Sequence, residues 1–493
     1  MKRTGQLFWS LLIATLVFQF SCRSVGPNYE PPEVSPPPAW KSKTSDGLRP
    51  AAVIDDDTLA AWWTTLNDPL LQSLIERAVR GNLELKQAAA AIREARARFG
   101  IAQSERYPTI TASGLSGYQR GSDRMGQGAS VGLFNTGFDA GWEADVFGGI
   151  RRSIESADAT LEATQEDLRD ILVTLVAEVA INYVQVRQSQ LQLKIATDNL
   201  KIQEDSLRLA QERYDAGLTN RLDVDQASYA VAETRSRMPL FEIALEQAKN
   251  RLAVLLGENP GVLDAELATP APIPVGPLEV AVGVPAETLR RRPDVRRAER
   301  ILAATTASIG VATAARYPAF NLPGTIGFEF ITRGNPLSLG NLIGSLGTSA
   351  FYTLFDAGRL RQGVEIQNAR QEQALAEYES TVLRALEEVE NALRAYADQQ
   401  IRRRSLQEAV EAAERAVEVV RANYIAGLVD YQPVLESQRS LLSFQDQLAQ
   451  TDGAVTSELI RLYKALGGGW ASAVPQTPRP PKTPSSAKSA AAN

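Results

Sequence analysis

Chemistry needs reactive side chains, and this chain of 493 residues supplies few: it has no His, three Met and a single Cys, Cys22. Without His there is no Ser-His-Asp triad and no imidazole ligand or proton shuttle, and one thiol cannot build a soft-metal cluster. The 58 Asp and Glu residues leave a carboxylate-only enzyme open in principle, but they are spread along helical stretches where solubility explains them. The composition argues for a non-enzyme that holds no metal and no cofactor. A formal charge of −6 also argues against nucleic acid as a partner, because neutralising phosphates requires clustered Lys and Arg in excess. The runs Arg290 to Arg292 and Arg402 to Arg404 read as solvated helix faces.

Two candidate sites survive. Lys2 and Arg3 precede an apolar stretch, Leu7 to Phe20, too short to span a bilayer. This predicts a signal peptide over 1–21, with Cys22 placed where a bacterial lipoprotein would be cleaved and acylated; a free thiol after an ordinary leader is the alternative. Gln19 stands where the usual lipoprotein signal has an aliphatic residue. Arg23 is not the Asp that commonly retains lipoproteins in the inner membrane, so a lipid-anchored chain in the outer membrane, extending into the periplasm, is expected. The second is singled out only by the family resemblance given below: Glu436 and Arg439, three apart, share one helical face and could pair within or between protomers. An ordinary surface ion pair, worth under about 1 kcal/mol, is the plain alternative.

The elements that position these residues come in two copies. Tyr107-Pro108 recurs as Tyr317-Pro318, Glu178-Val179 as Glu388-Val389, Ala216-Gly217 as Ala426-Gly427 and Leu256-Gly257 as Leu466-Gly467, each 210 residues on. Phe147 before Gly148 pairs less strictly with Phe355, at 208. Residues 150–216 and 364–426 lack Gly and Pro altogether, which predicts helices about 95 to 100 Å long at 1.5 Å per residue. Their apolar residues recur at 168, 172, 175, 179, 183 and 186, and from Leu375 to Tyr396, with mean spacings near 3.6 and 3.5, the coiled-coil range. Each rod should end at its Ala-Gly, Gly217 or Gly427, in a left-handed cap. A second helix should then return, from about Arg221 to Leu256 and from about Tyr431 to Leu466. Pro239 should kink the first return helix and Gly453 weaken the second. Shorter helices are expected over Leu83 to Glu105 and Val295 to Ala315.

Between each Tyr-Pro and the following long helix, short alternating runs rich in Gly, Ser, Thr and aromatics predict strands near 107–119, 129–146, 317–332 and 345–356. Phe134, Phe138 and Trp142 alternate with Asn135, Asp139 and Glu143, the pattern of a lipid-facing barrel with a wet lumen; a soluble hairpin is the blander alternative. Other long apolar runs are missing, so membrane contact must come from strands or lipid. Four strands cannot close a transmembrane barrel, which needs about eight at least. Strands that enter a membrane therefore require several copies, and three would supply twelve.

The expected class is α+β, mainly α, with an internal two-fold repeat; if the strands enter a membrane, three copies with four strands per protomer would make a transmembrane β-barrel formed by a trimer and continuous with a long α-helical coiled-coil barrel. The expected divisions are a lipid-anchored linker over 22–60, a first copy over 61–262 with its helical hairpin at 149–257, and a connector over 263–284. A second copy over 285–470, with its hairpin at 358–467, and a disordered tail over 471–493 complete the chain.

Several motifs together resemble one family, the TolC-like outer-membrane factors, of the OprM or NodT type. They are Val25-Gly26-Pro27-Asn28-Tyr29 soon after the cysteine, Trp62-Trp63 leading to Asp68-Pro69-Leu70, Phe355-Asp356-Ala357-Gly358-Arg359-Leu360, and the closing Leu462 to Trp470. The resemblance runs from Cys22 to Trp470. It implies a homotrimer that exports drugs or other small molecules passively, docked to a periplasmic adaptor and, through it, to an inner-membrane pump of the resistance-nodulation-division class. It also implies a periplasmic gate just past the helical turns, placing Gln432, Glu436 and Arg439, with Leu222 and Gln226 of the first copy, at the constriction; members of this type carry an apolar residue at the place of Gln432. A ring of Glu436 would repel anions. The turn residues Gly217, Leu218, Gly427 and Leu428 become the expected adaptor contacts. A protein-secretion duct of the same architecture, a periplasmic coiled-coil scaffold without a pore, and a heavy-metal duct are the alternatives.

Overall fold

A computed structural model describes residues 24–33, 36–41, 48–50, 59–120, 130–276, 280–282, 284–331 and 341–470. The expected leader, Cys22 and the tail lie outside them. The helices are α1 (Pro69–Gly81), α2 (Leu83–Ser104), α3 (Gly149–Asp215), α4 (Arg221–Leu256), α5 (Pro285–Arg291), α6 (Pro293–Ala314), α7 (Arg359–Ile425) and α8 (Tyr431–Ala465). The strands are β1 (Leu48–Pro50), β2 (Thr109–Arg120), β3 (Ser130–Ala144), β4 (Val280–Val282), β5 (Ala319–Ile331), β6 (Leu342–Leu346) and β7 (Ser349–Phe351).

The breaker-free stretches form helices of 67 residues each, α3 and α7. Gly363 lies inside α7, so the second rod begins earlier than its breaker-free run. α4 passes through Pro239 without ending; the ring removes a single backbone donor, and the rest of the helix is long enough to carry that loss. Gly453 has a packing role in α8: a Cβ there would meet the Gln188 side chain at 2.1 Å. The starts of α2 and α6, α3 and α7, and α4 and α8 all differ by 210. So do the left-handed glycines Gly148 and Gly358, Gly217 and Gly427, and Gly257 and Gly467. The residue equivalent to Phe147 is therefore Ala357, which itself takes a positive φ of 53°, and the 208 pairing with Phe355 is a coincidence of residue type. Phe147 instead stacks on Tyr317, with ring centroids 4.6 Å apart.

The chain divides into two units. The first comprises residues up to Ser35, Gln87–Leu168 and Pro293–Arg384. It holds one antiparallel sheet in the order β2-β3-β5-β6, with β7 resuming the same pairing with β5 after a two-residue gap. The fourth strand expected over 345–356 thus starts at Leu342 and ends at Phe351. Three ion pairs tie α6 to α3 here: Arg296 with Glu166, Arg297 with Asp167, and Arg300 with Glu162.

The second unit comprises Pro36–Lys86, Arg169–Arg292 and the chain from Ala385. Its core buries the expected stripes of both rods, among them Leu172, Val179, Tyr183, Val389, Leu393 and Tyr396, against α1, α4 and α8. Trp62 stacks on Tyr463 at 5.5 Å. Asp68 caps α1 by accepting from the Leu70 and Leu71 amides at 3.0 Å and also accepts the Tyr183 hydroxyl at 2.7 Å. Two expectations change in this unit. The stretch read as a linker contributes β1, which pairs in parallel with β4. Arg292 is not solvated: it is buried and donates to the Ala465 carbonyl at 2.9 Å and to Glu388 at 2.7 Å, so it neutralises the carbonyl end of α8.

Candidate functional site

The sheet sorts its side chains by alternation. With Ile110 opposite Ala140, Ala140 opposite Gly324 and Gly324 opposite Leu346, one face carries Ile110, Tyr118, Phe134, Phe138, Trp142, Phe320, Ile326 and Leu342. The other carries Thr111, Ser113, Asn135, Asp139, Glu143, Asn321, Thr325 and Glu329. Phe134, Phe138, Trp142 and Ile326 are exposed on the apolar face, and the Trp142 indole donates to the Arg106 carbonyl at 2.9 Å. The polar face satisfies itself locally, with Ser113 donating to Asp139 at 2.7 Å and Asn135 to Glu329 at 3.4 Å. Gly137 sits opposite Gly327, and a Cβ on either would lie within 2.6 Å of the other strand's backbone, so this crossing tolerates no side chain.

The turns that follow the two long helices are built alike. The Leu218 amide donates to the Arg213 carbonyl at 2.8 Å, and the Leu428 amide to the Asn423 carbonyl at 2.9 Å. Gly217 and Gly427 hold φ of 72° and 73°, the left-handed cap that ends a helix while satisfying its last carbonyls. Leu218, Leu222 and Leu428 are exposed. Behind the turns a small core of Ala210, Val224, Ala227, Tyr424, Tyr431 and Val434 joins the two hairpins.

Of the residues expected at the gate, only Gln226 and Gln432 are in direct contact, and Arg439 pairs outside the expected set. Gln226 donates to Gln432 at 3.0 Å, linking α4 to α8. Arg439 donates to Glu233 at 2.8 Å and lies over the Tyr229 ring at 5.1 Å. Glu436 is exposed and adds only a longer-range attraction to Arg439. The helix spacing allowed Arg439 to pair with Glu436, yet the neighbouring helix offers a carboxylate already oriented by Arg237 at 2.9 Å. The bond from Arg439 holds the Glu233 carboxyl below its usual range, with Arg237 adding to the effect.

Sequence reasoning missed Glu233, Tyr229 and Arg213. Arg213 reaches from α3 to the end of α7, donating to the Tyr424 carbonyl at 2.8 Å and the Ile425 carbonyl at 3.2 Å, with its guanidinium 4.8 Å from the Tyr424 ring. An Arg just before an Ala-Gly turn was the available signal, since a cation suits a helix C-terminus. The hydroxyls of Tyr424 and Tyr431 are buried and find no hydrogen-bond partner among the described residues.

Cys22 lies outside the described residues, but its neighbourhood does not. The Val25 amide donates to the Phe147 carbonyl at 3.0 Å. Arg152, itself buried, donates to the Val25 carbonyl at 3.2 Å and to Asn28 at 2.7 Å. Ser24 packs so closely on Gly148 that a Cβ there would sit 2.6 Å away. The segment after the cysteine is thus pinned where β3 gives way to α3. Among the described residues no group of His, Cys, Asp and Glu could hold a metal, and no helix is long and apolar enough to cross a membrane.

Comparison with known proteins matches a family described as outer membrane efflux protein to residues 74–258 and again to 284–468. Nodulation protein T of Rhizobium leguminosarum bv. trifolii is 33% identical over 94% of this chain and 96% of its own length. The pyoverdine export outer membrane protein OpmQ of Pseudomonas aeruginosa is 34% identical over 85% of this chain and 89% of its own. Among solved structures, the outer-membrane channel OprN superposes with a TM-score of 0.85 at 36% identity, covering 90% of this chain and 99% of that one.

Proposed function

The chain belongs to the outer membrane efflux protein family, and from that premise we propose that three copies close into a single conduit through the outer membrane. As a member of this family the chain is an outer-membrane channel component of a tripartite efflux system and not an enzyme. Such systems include a periplasmic adaptor and an inner-membrane pump, here read as a pump of the resistance-nodulation-division class.

The observation that carries the trimer is the sheet: one apolar face with exposed aromatic and aliphatic side chains, one polar face and two edges left unpaired among the described residues. Open edges are not tolerated in lipid, where each unsatisfied backbone group costs several kcal/mol. Joining three sheets edge to edge removes every edge and turns the polar faces inward around a wet lumen. The paired helices, 149–257 and 358–467, supply the periplasmic part, and residues 61–262 and 285–470 are two copies of one unit joined by the 263–284 connector. Removal of 1–21 and acylation of Cys22 fit the pinning of Ser24 at the root of the sheet: two residues reach about 7 Å, which would seat the acyl chain in the leaflet nearest that junction.

Gln226, Gln432, Glu436 and Arg439, with Leu222, form the gate in this reading, and the exposed Leu218 and Leu428 beside Gly217 and Gly427 meet the adaptor. The channel spends no energy and passes drugs or other small molecules down the path that pump and adaptor open. Purified protein should have the mass of a trimer in mild detergent and form stable channels in planar bilayers. A monomer that leaves bilayers insulating would overturn the proposal.

A further inference from the structure

Arginines gather at the foot of the sheet. Arg106 precedes β2 and Arg316 precedes β5, 210 residues apart and each followed by Tyr-Pro. Arg151 and Arg152 open α3, which follows β3, and Arg359 and Arg361 open α7, which follows β7. Neither of these long helices has an acidic residue in its first turn, although the amides of a helix N-terminus favour negative charge.

Carboxylates cover part of this charge. Asp145 accepts the Arg151 side chain and the Ile150 amide, each at 3.1 Å. Arg152 is held by Glu155 at 2.7 Å and by the segment that follows Cys22. Asp356 accepts the Gly358 and Leu360 amides at 2.9 Å and attracts Arg359. The copies differ at one place: 210 residues beyond Asp145 stands Phe355, so Arg361, the equivalent of Arg151, lacks the carboxylate that Arg151 holds. Arg361, Arg106 and Arg316 have no side-chain hydrogen bond or ion pair among the described residues.

Bare aromatic rings accompany these cations. Tyr107 is 70% exposed and Phe355 88%, and the Trp142 indole, on the apolar face, donates to the Arg106 carbonyl at 2.9 Å. Rings beside cations that lack a partner suit a bilayer boundary, where aromatic side chains lie at the headgroup level and Arg reaches the phosphates. An acidic protein or a free phosphate would leave the rings in water. Resting on the barrel reading above, we propose that Arg106, Arg316 and Arg361 bind the headgroup phosphates of anionic phospholipids in the leaflet next to the periplasm. That leaflet lies where the strands pass into the long helices, and there Val25, three residues after Cys22, donates to the Phe147 carbonyl. Arg106 and Arg316 stand at the feet of strands separated by β3, two strand spacings or more and so at least about 10 Å apart, which gives each its own headgroup. The planar guanidinium fork meets a phosphate with two bonds at once, and the N-terminal amides of α7 add to the attraction at Arg361.

Quenching of Trp142 fluorescence by brominated lipid tests the site, because Trp142 is the only tryptophan on the described strands. The full chain is reconstituted at low salt in vesicles of phosphatidylcholine and phosphatidylglycerol, with one or the other lipid carrying dibrominated acyl chains. Brominated phosphatidylglycerol should quench more than brominated phosphatidylcholine, a preference that fades as salt is raised. Arg106→Gln should reduce that preference by about fivefold, the equivalent of roughly 1 kcal/mol for one arginine at an anionic surface. Adding Arg316→Gln and Arg361→Gln should abolish it, whereas Arg106→Lys should retain it, which separates lost charge from poor folding. Equal quenching by the two lipids in the wild type, or a preference that survives in every variant, would overturn the headgroup site while leaving the barrel intact. Displacement of brominated phosphatidylglycerol by lipid A more readily than by unlabelled phosphatidylglycerol would overturn the choice of phospholipid. Quenching by neither lipid would put the sheet outside the bilayer and overturn the barrel reading itself.

Discussion

Arg439 bridges two return helices by holding Glu233 while its guanidinium lies over the Tyr229 ring, and in the proposed gate that bridge would hold the constriction closed. Arg439→Ala should therefore raise closed-state conductance in planar bilayers, and Glu436→Ala alone should change it little, since Glu436 makes no direct pair with it. Equal effects from both would contradict this division of roles. The pH response follows from the direction of the shift. The bond from Arg439, reinforced by Arg237, lowers the Glu233 pKa below its ordinary 4.5. A depressed carboxylate contributes fully above its unfolded pKa and loses that contribution as pH falls through the folded one. Closed-state conductance should thus stay level from neutral pH to about 5 and rise only further into acid, whereas Glu233→Gln should conduct more already at neutral pH. The buried Tyr431 hydroxyl, by contrast, has no partner among the described residues. Tyr431→Phe removes a group that gains nothing from burial and should be neutral or stabilising by about 1 kcal/mol, read as the temperature at which the oligomer dissociates in detergent.

Among the elements, α1 is held by close approaches no composition reveals. Its last residue, Gly81, runs so close to the end of α4 that a Cβ would lie 2.2 Å from the Leu256 carbonyl oxygen, and Gly257 returns the approach at 2.5 Å from the Gly81 oxygen. Backbone on both sides leaves nothing to yield. Gly81→Ala should cost about 1 to 3 kcal/mol in thermal unfolding, the range for overpacking. Gly100, inside α2, meets nothing within 4 Å, and Gly100→Ala should stabilise by up to about 1 kcal/mol through helix propensity. Similar midpoints for the two variants would refute the backbone-contact account. The Asp68 cap shows how one side chain can serve two elements, since it starts α1 and receives the Tyr183 hydroxyl of α3. Burial and that bond push the Tyr183 phenol up to about 12, so it remains a donor throughout the physiological range.

For the whole molecule, the sorting of the sheet into two faces decides which environment each side chain meets. Phe138 and Thr325 sit on adjacent strands but on opposite faces. In the proposed trimeric barrel, Phe138→Arg places a charge in lipid, a cost of about 2 to 4 kcal/mol per copy near the bilayer midplane, and should sharply reduce the assembled protein recovered from outer membranes. Thr325→Arg faces the lumen beside Asp139 and should assemble normally while shifting reversal potentials toward anions. Loss of assembly in both, or in neither, would mean that the faces are assigned wrongly.

Sequence by itself determined the period-bearing features. Breaker-free runs with a 3.5 to 3.6 repeat could only be long helices, strict alternation from Phe134 to Glu143 could only be a two-faced strand, and the common offset of 210 bound the copies together, because local propensity and periodicity are written along the chain. The end of each rod was legible for the same reason, since Gly217 and Gly427 relieve a local backbone strain. Tertiary structure alone decided the rest. Which carboxylate Arg439 holds, why Arg292 is buried in a run that reads as solvated, how β1 joins β4 and which residue answers Phe147 all depend on segments distant in sequence. A charged side chain has several partners within its reach, and only the packing of neighbouring helices selects among them.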